Sequence, residues 1–106
     1  MSLYTIAYQS TEKLRFHDQD LLGLLSGARS NNMRLNITGM LLYHEGSFFQ
    51  IIEGPKEAVC TLYDGIQGDA RHTNVVTQYE NALDERLFPH WSMLFRTVDG
   101  LTGRSV

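Results

Sequence analysis

Three polar side chains occupy positions where the surrounding pattern predicts apolar ones, and groups of these types bind ligands or transfer protons. Gln50 lies inside the run Ser-Phe-Phe-Gln-Ile-Ile, which otherwise has the composition of a buried strand. A buried amide without partners costs about 1–3 kcal/mol, so the side chain of Gln50 requires a hydrogen-bonding partner. The pattern leaves two kinds of partner open: a protein group such as Tyr8 or a neighbouring loop, or a bound ligand.

Asn32 extends the apolar face of a predicted helix. Leu21, Leu25, Ala28 and Asn32 are spaced at i, i+4, i+7 and i+11, which places them on one side of the helix. Asn31 points about a hundred degrees away. The two asparagines either end the helix, as Asn readily does, or present hydrogen-bonding groups to a ligand. The small side chain of Ala28 leaves space there for a planar molecule.

Tyr8 ends a predicted strand and is followed by the polar pair Gln9-Ser10. A tyrosine at such a position either packs half-buried with its hydroxyl at the edge of the core, or takes part in redox or proton-transfer chemistry. The strand pattern alone leaves both roles open.

Motifs for conventional catalysis and for metal binding are absent from the sequence. The four histidines are not spaced as metal ligands, and no Gly-x-Gly-x-x-Gly, P-loop or Gly-x-Ser-x-Gly pattern occurs. The histidines are His17, His44, His72 and His90. We therefore expect neither an enzyme nor a metalloprotein.

Composition narrows the partners and the compartment. Nine Lys and Arg against twelve Asp and Glu give a net charge of −3 without a basic cluster, so a nucleic-acid partner is not expected. Apolar stretches are far shorter than the roughly 20 residues that span a bilayer. Cys60 is the only cysteine, so an internal disulfide cannot form. A cytoplasmic location follows as the expectation.

The polar residues must be positioned by a small α+β fold. The order of predicted elements is β-α-β-β-α-β-β, the ferredoxin-like arrangement of a mixed five-stranded sheet with two helices on one face. The two apolar hairpin strands are expected to be covered on both faces, or nearly so. We expect one domain over 1–97 and a flexible tail over 98–106. The predicted strands are 3–8, 37–43, 48–52, 74–79 and 91–97; the helices run from Asp18 to Met33 and from Pro55 to about Gly68, with a helical turn at 84–89 and a hairpin turn at Glu45-Gly46.

Six segments in order along the chain resemble the BLUF family, the sensors of blue light using flavin. Each segment is weak by itself, but the six together are specific. They are Ala7-Tyr8-Gln9-Ser10, Ala28-Arg29-Ser30-Asn31-Asn32, Asn36-Ile37-Thr38-Gly39-Met40-Leu41-Leu42-Tyr43, Phe48-Phe49-Gln50-Ile51-Ile52-Glu53-Gly54, Asp69-Ala70-Arg71-His72 and Phe88-Pro89-His90-Trp91-Ser92-Met93.

The resemblance implies a flavin whose ring lies between the two helices. The cofactor is usually FAD in this family, with FMN or riboflavin as alternatives. Asn32 would bond the polar edge of the ring with help from Asn31, and Arg71 would reach the same edge. The other residues that the resemblance places at the cofactor are Tyr8, Leu24, Ala28, Phe48, Gln50, Ile66, Asp69 and His72.

The resemblance also implies a photoreceptor domain that works by a hydrogen-bond switch. After blue-light excitation Tyr8 would donate an electron and a proton, and Gln50 would rotate or tautomerise, which rewires its bonds because an amide has one donor end and one acceptor end. Trp91 and Met93, expected on the fifth strand, are either the relay or ordinary core. The signal would pass to an effector domain or a separate protein; a homodimer is a further expectation.

Two alternatives use the same fold without light sensing. The first is a flavin-free module for protein interaction, against which the presence of Tyr8, Asn32 and Gln50 argues. The second is an acylphosphatase-like hydrolase, which lacks support because no Arg lies in an early glycine-rich loop.

Overall fold

A computed structural model describes residues 2–13, 18–70, 72–99 and 104–105 of the protein. The elements are β1 (Leu3–Glu12), α1 (Asp18–Leu35), β2 (Thr38–His44), β3 (Ser47–Pro55), α2 (Lys56–Gln67), β4 (His72–Leu83), β5 (Leu94–Asp99) and β6 (Arg104–Ser105). The sheet order is β4-β1-β3-β2-β5-β6, in which β2 and β5 are parallel and the other neighbours antiparallel. The predicted ferredoxin-like order is confirmed.

The β2–β3 hairpin forms as predicted. His44 pairs with Ser47, so Glu45 and Gly46 are the two loop residues, with φ angles of 45° and 83°. Positive φ at both positions is typical of the type I′ turn, whose twist matches that of the strands it joins. The backbone N–H of Glu12 donates to Gly46 O at 2.8 Å, which ties the turn to the end of β1.

Both helices differ slightly from their predicted bounds. α1 continues to Leu35, and Asn36 follows it in the left-handed region with φ of 60°, a common helix ending. α1 begins at Asp18, as predicted. Pro55 precedes α2 instead of opening it, because its extended backbone, with ψ of 132°, still belongs to β3.

The C-terminal strands differ more. β4 is twice as long as the predicted 74–79, because it follows β1 along almost its whole length with two irregularities in register. β5 begins at Leu94, so Trp91 and Met93 precede it and the prediction that they lie on this strand is wrong. Segment 84–89 is not helical, since two of its backbone N–H groups bond to the carboxylate of Glu53. The tail contains the two-residue β6, and its predicted flexibility is not tested.

One face of the sheet carries the core. The buried apolar residues on this side are Ile6, Tyr8, Leu25, Ile37, Leu41, Phe48, Ile52, Val59, Tyr63 and Met93. On the opposite face Thr5, Ala7 and Glu53 are buried, but the apolar side chains of β2 and β3 are only partly covered. The hairpin is therefore fully covered on the side that faces the helices, as expected, and only partly covered on the other side.

Gly39 is the point of closest approach between β2 and β3. A Cβ atom there would lie 2.0 Å from the carbonyl oxygen of Ile51, which is backbone and cannot move aside. We predict that Gly39→Ala lowers the free energy of unfolding by about 2–3 kcal/mol, measured by urea unfolding followed by circular dichroism.

Gly68→Ala is the matched control. A Cβ at Gly68 meets only ordinary contacts, at 3.8 Å or more, and its φ of −91° suits alanine. This variant should unfold within about 0.5 kcal/mol of the parent. An equally small effect at Gly39 would contradict the strand spacing described above.

Candidate functional site

A cavity of about 710 Å³ lies between α1, α2 and the helix-facing side of the sheet. Every predicted cofactor residue whose side chain the structure describes lines this cavity. They are Tyr8, Leu24, Ala28, Asn31, Asn32, Phe48, Gln50, Ile66 and Asp69. The remaining two, Arg71 and the side chain of His72, lie outside the described residues.

Glycines on the facing helices keep the cavity open. Gly23 and Gly27 on α1 and Gly65 on α2 line it, and a Cβ atom at any of the three would meet nothing within 4 Å. A glycine inside a helix costs about 1 kcal/mol relative to alanine. The helices therefore lose intrinsic stability at the positions where they border empty space.

The cavity wall on α1 follows the turn of the helix. Leu24, Ala28 and Leu35 share one side of α1 at spacings of four and seven residues, and Asn32 adjoins them. Asn32 is 2% exposed, whereas Arg34 is exposed and lies at the outer rim. The wall thus changes from a buried amide at the sheet to a cation at the solvent.

Tyr8, Gln50 and Met93 form a continuous chain of buried hydrogen-bonding groups. Tyr8 and Gln50 are direct partners across the β1–β3 pair, and the phenol of Tyr8 donates to Oε1 of Gln50. The Nε2 group of Gln50 donates to Sδ of Met93 at 3.5 Å. The protein partner expected for Gln50 is therefore Tyr8, and Gln50 also faces the cavity.

Burial fixes the protonation state of Tyr8. Loss of hydration raises the pKa of the Tyr8 phenol well above its usual value, and Tyr63 and the charge of Asp69 raise it further. The rings of Tyr8 and Tyr63 are 5.2 Å apart between centroids. Tyr8 is consequently a neutral hydrogen-bond donor across the physiological pH range.

The segment before β5 is held by α1 and β2 through its carbonyl oxygens. Asn32 Nδ2 donates to Ser92 O at 2.7 Å, and Arg29 Nε donates to Met93 O at 3.2 Å. The N–H of Gly39 donates to Trp91 O at 3.0 Å. Asn32 therefore connects this segment directly to the cavity wall. Its backbone carbonyl accepts a hydrogen bond from Ile37 N, which closes the end of α1.

Trp91 and Met93 have different environments although they are two residues apart. Met93 is 1% exposed and contacts Gln50, whereas Trp91 is 50% exposed. In this structure Met93 occupies the space beside Gln50. A relay role for either residue stays a prediction.

Sequence reasoning missed several lining residues, among them Gly27, Arg34 and Gly65. The signal for Arg34 was its spacing: it lies three residues after Asn31, and its Nη2 donates to Asn31 Oδ1 at 2.5 Å.

Among the described residues no group of three or more His, Cys, Asp or Glu could hold a metal ion, and none of the described helices is long and apolar enough to cross a membrane.

Comparison with known proteins gives consistent matches over nearly the whole chain. The family model described as sensors of blue-light using FAD matches residues 3–94. The photoactivated adenylate cyclase subunit beta of Euglena longa is 39% identical over 101 residues, which are 94% of this chain and 12% of that protein. The chain thus spans about an eighth of the length of this relative.

Solved structures agree with the sequence matches. The dark-state structure of the BLUF protein BlrB has a TM-score of 0.87 at 34% identity, covering 92% of this chain and 74% of BlrB. Klebsiella pneumoniae BlrP1, solved with FMN and cyclic diGMP, has a TM-score of 0.84 at 35% identity, covering 91% of this chain and 26% of BlrP1.

The raised pKa of Tyr8 predicts a loss of stability in alkali. Its folded pKa exceeds the unfolded value near 10, so its contribution is complete below about pH 10 and declines as the unfolded chain releases the proton. We expect the free energy of unfolding to fall above this pH, with a slope from Tyr8 approaching 1.4 kcal/mol per pH unit. Urea unfolding between about pH 9 and 11.5 measures it.

Tyr8→Phe should remove that part of the slope. Tyr4, whose pKa is also raised by desolvation and by Glu80, provides the comparison, because Tyr4→Phe leaves the buried phenol of Tyr8 in place. An unchanged alkaline slope in Tyr8→Phe would contradict the burial of this hydroxyl.

Proposed function

The chain belongs to the BLUF family of flavin-binding blue-light sensors, and we propose that Tyr8, Gln50 and Met93 form its hydrogen-bond switch. The observation that carries the proposal is the bond from the Tyr8 phenol to Gln50 Oε1 at the wall of the cavity. The acylphosphatase-like alternative is set aside because the BLUF family model matches residues 3–94.

The cavity fits the flavin in size, shape and chemistry. Pockets for small molecules have volumes of about 300–1,000 Å³ and are mostly apolar with a few placed polar groups, and this cavity of 710 Å³ agrees. The open space beside Gly27 and Gly65 suits a flat ring lying between α1 and α2. Amides from Asn31, Asn32 and Gln50 supply both donors and acceptors to it.

Asn32 is the residue best placed to hold the polar edge of the ring. One hydrogen of its Nδ2 is donated to Ser92 O, which leaves the second hydrogen and the Oδ1 acceptor for a ligand. The edge of an isoalloxazine ring alternates carbonyl oxygens with an N–H group, so an amide with both functions complements it. Asn31 stands beside it with its Oδ1 bonded to Arg34.

We propose FAD as the native flavin, with Arg34 beside its phosphates. Arg34 is the only Lys or Arg among the described cavity-lining residues, and it is exposed at the rim. A guanidinium at that place suits a phosphate that projects from the cavity into solvent. FMN would use the same contact, whereas riboflavin has no phosphate for it.

The switch uses the two ends of the Gln50 amide. A bound flavin would supply the blue-light absorption and the acceptor for an electron and a proton. Tyr8 would pass an electron and its phenolic proton to it, and Gln50 would rotate or tautomerise, so that a donor replaces the acceptor that faced Tyr8. The electron and the proton would then return to Tyr8 while Gln50 retains its new arrangement. Met93 then loses or changes the bond from Nε2, which passes the change to its segment.

The output of the sensor is proposed from its relatives. The relative from Euglena longa is named as the beta subunit of a photoactivated adenylate cyclase, and the match with this chain covers 12% of its length. We propose that this domain likewise controls an effector domain or a separate protein in the cytoplasm and performs no catalysis itself. A homodimer stays a prediction.

Light-induced absorption changes test the switch. Gln50→Leu and Tyr8→Phe should keep the flavin but lose the reversible red shift of its blue absorption band, because each removes one end of the hydrogen bond between them. Absorption spectra in the dark and after blue illumination measure the shift. Gln78→Leu, an exposed change on β4, is the matched control and should behave as the parent.

A normal reversible shift in Gln50→Leu would sink the proposed mechanism. A parent protein that stays colourless after refolding with excess FAD would instead favour the flavin-free interaction module.

Binding of two flavins separates the ring contact from the phosphate contact. Asn32→Ala should weaken FAD and riboflavin alike, each by about tenfold, because the lost bond is worth about 1–1.5 kcal/mol. Arg34→Gln should weaken FAD alone. Titration followed by flavin fluorescence measures both affinities, with Asn81→Ala as an exposed control. Equal weakening of both flavins by Arg34→Gln would contradict a phosphate contact.

A further inference from the structure

Glu53 is a fully buried carboxylate that the flavin site does not use. Its side chain is 0% exposed, and burying an unpartnered charge is costly. Three donors satisfy it: Leu87 N bonds Oε1 at 2.9 Å, Phe88 N bonds Oε2 at 2.7 Å, and Thr38 Oγ1 bonds Oε2 at 2.8 Å. Two of the three belong to the backbone of the segment that leads to Met93.

Arg86 reinforces this anchor from the same segment. Its Nη1 donates to Thr38 Oγ1 at 2.8 Å, and its Nη2 donates to Asn36 O at 2.8 Å. Nη1 also lies 3.4 Å from Glu53 O. The hydroxyl of Thr38 therefore stands between the guanidinium and the carboxylate, and segment 86–88 is fixed to β2 and β3 by side-chain and backbone bonds together.

β3 contacts the segment that leads to Met93 on both faces of the sheet. Gln50 and Glu53 are three residues apart on this strand, so they point to opposite faces of the sheet. Gln50 contacts Met93 on the helix side, and Glu53 holds Leu87 and Phe88 on the other. Between these points the chain passes Trp91, whose carbonyl bonds Gly39 N.

We infer that Glu53 is a positioning residue for the switch: its carboxylate fixes segment 86–93 so that Met93 is beside Gln50 and Trp91 stays outside. The inference rests on the proposed function for its effect on light sensing. The anchoring itself can be measured without a flavin.

Glu53→Gln is the direct test, because it keeps the size of the side chain and replaces one acceptor oxygen by a donor group. One of the two backbone N–H groups then faces an amide NH₂ and loses its acceptor. We expect the flavin to remain bound, and the rate of dark recovery after illumination to change by at least about fivefold, which corresponds to about 1 kcal/mol in the activation barrier. Glu57→Gln, an exposed change in the first turn of α2, should recover as the parent does.

Trp91 gives a second readout that does not need light sensing. It is the only tryptophan of the chain, so its quenching by acrylamide in the flavin-free protein reports on segment 86–93 alone. Glu53→Gln should alter this quenching. Val59→Ala, a buried change in α2 that makes none of these hydrogen bonds, lowers stability as well and should leave it unaltered.

Unchanged Trp91 quenching together with unchanged dark recovery in a folded Glu53→Gln protein would overturn the inference. If this variant does not fold, Thr38→Val decides: it removes the bridging hydroxyl but leaves the carboxylate and its backbone bonds. It should change both the quenching of Trp91 and the rate of dark recovery, and a folded Thr38→Val protein in which neither changes would overturn the inference. A parent protein without a light-induced shift would refute the proposed function, while the quenching comparison would still test Glu53.

Discussion

The hydrogen bond between Tyr8 and Gln50 depends on the pairing of β1 with β3, and most of the structure serves that pairing. Because the two residues are direct antiparallel partners, the sheet itself sets the distance between their backbones. β3 is an interior strand, bordered by β1 and β2, so its register is fixed from both sides. A switch based on one amide therefore works within a backbone that does not need to move.

Around this pair the protein combines a tightly packed sheet with loosely packed helices. Gly39 brings β2 so close to β3 that no side chain fits between them, whereas Gly23, Gly27 and Gly65 border open space. The same residue type thus serves opposite purposes at the two places. Helix–sheet packing that would otherwise stabilise the fold is given up to make room for a ligand, so we expect the bound flavin to contribute to stability.

The sequence predicted the elements and the cavity better than the segments between strands. Gln50 and Asn32 were identifiable because each interrupts an apolar pattern, and the turn at Glu45-Gly46 follows from local backbone preferences. Glu53 was not identifiable as a buried residue, because a carboxylate next to Gly54-Pro55 is typical of an exposed strand end. Its burial depends on Leu87 and Phe88, which are more than thirty positions away. The start of β5 was misplaced for the same reason: Trp91 and Met93 have the composition of a strand, but tertiary bonds to Gly39 and Arg29 decide their conformation.

The alternation of faces along β3 has a consequence for how this chain can vary in length. Gln50 faces the cavity and Glu53 faces the opposite side, so the strand has a hydrogen-bonded side chain with a proposed role on each surface. Deleting or inserting one residue of β3 between Gln50 and Glu53 would turn one of these two side chains to the wrong surface. Length changes are therefore compatible with this arrangement only outside the stretch from Gln50 to Glu53. Evolution within this stretch is confined to substitution.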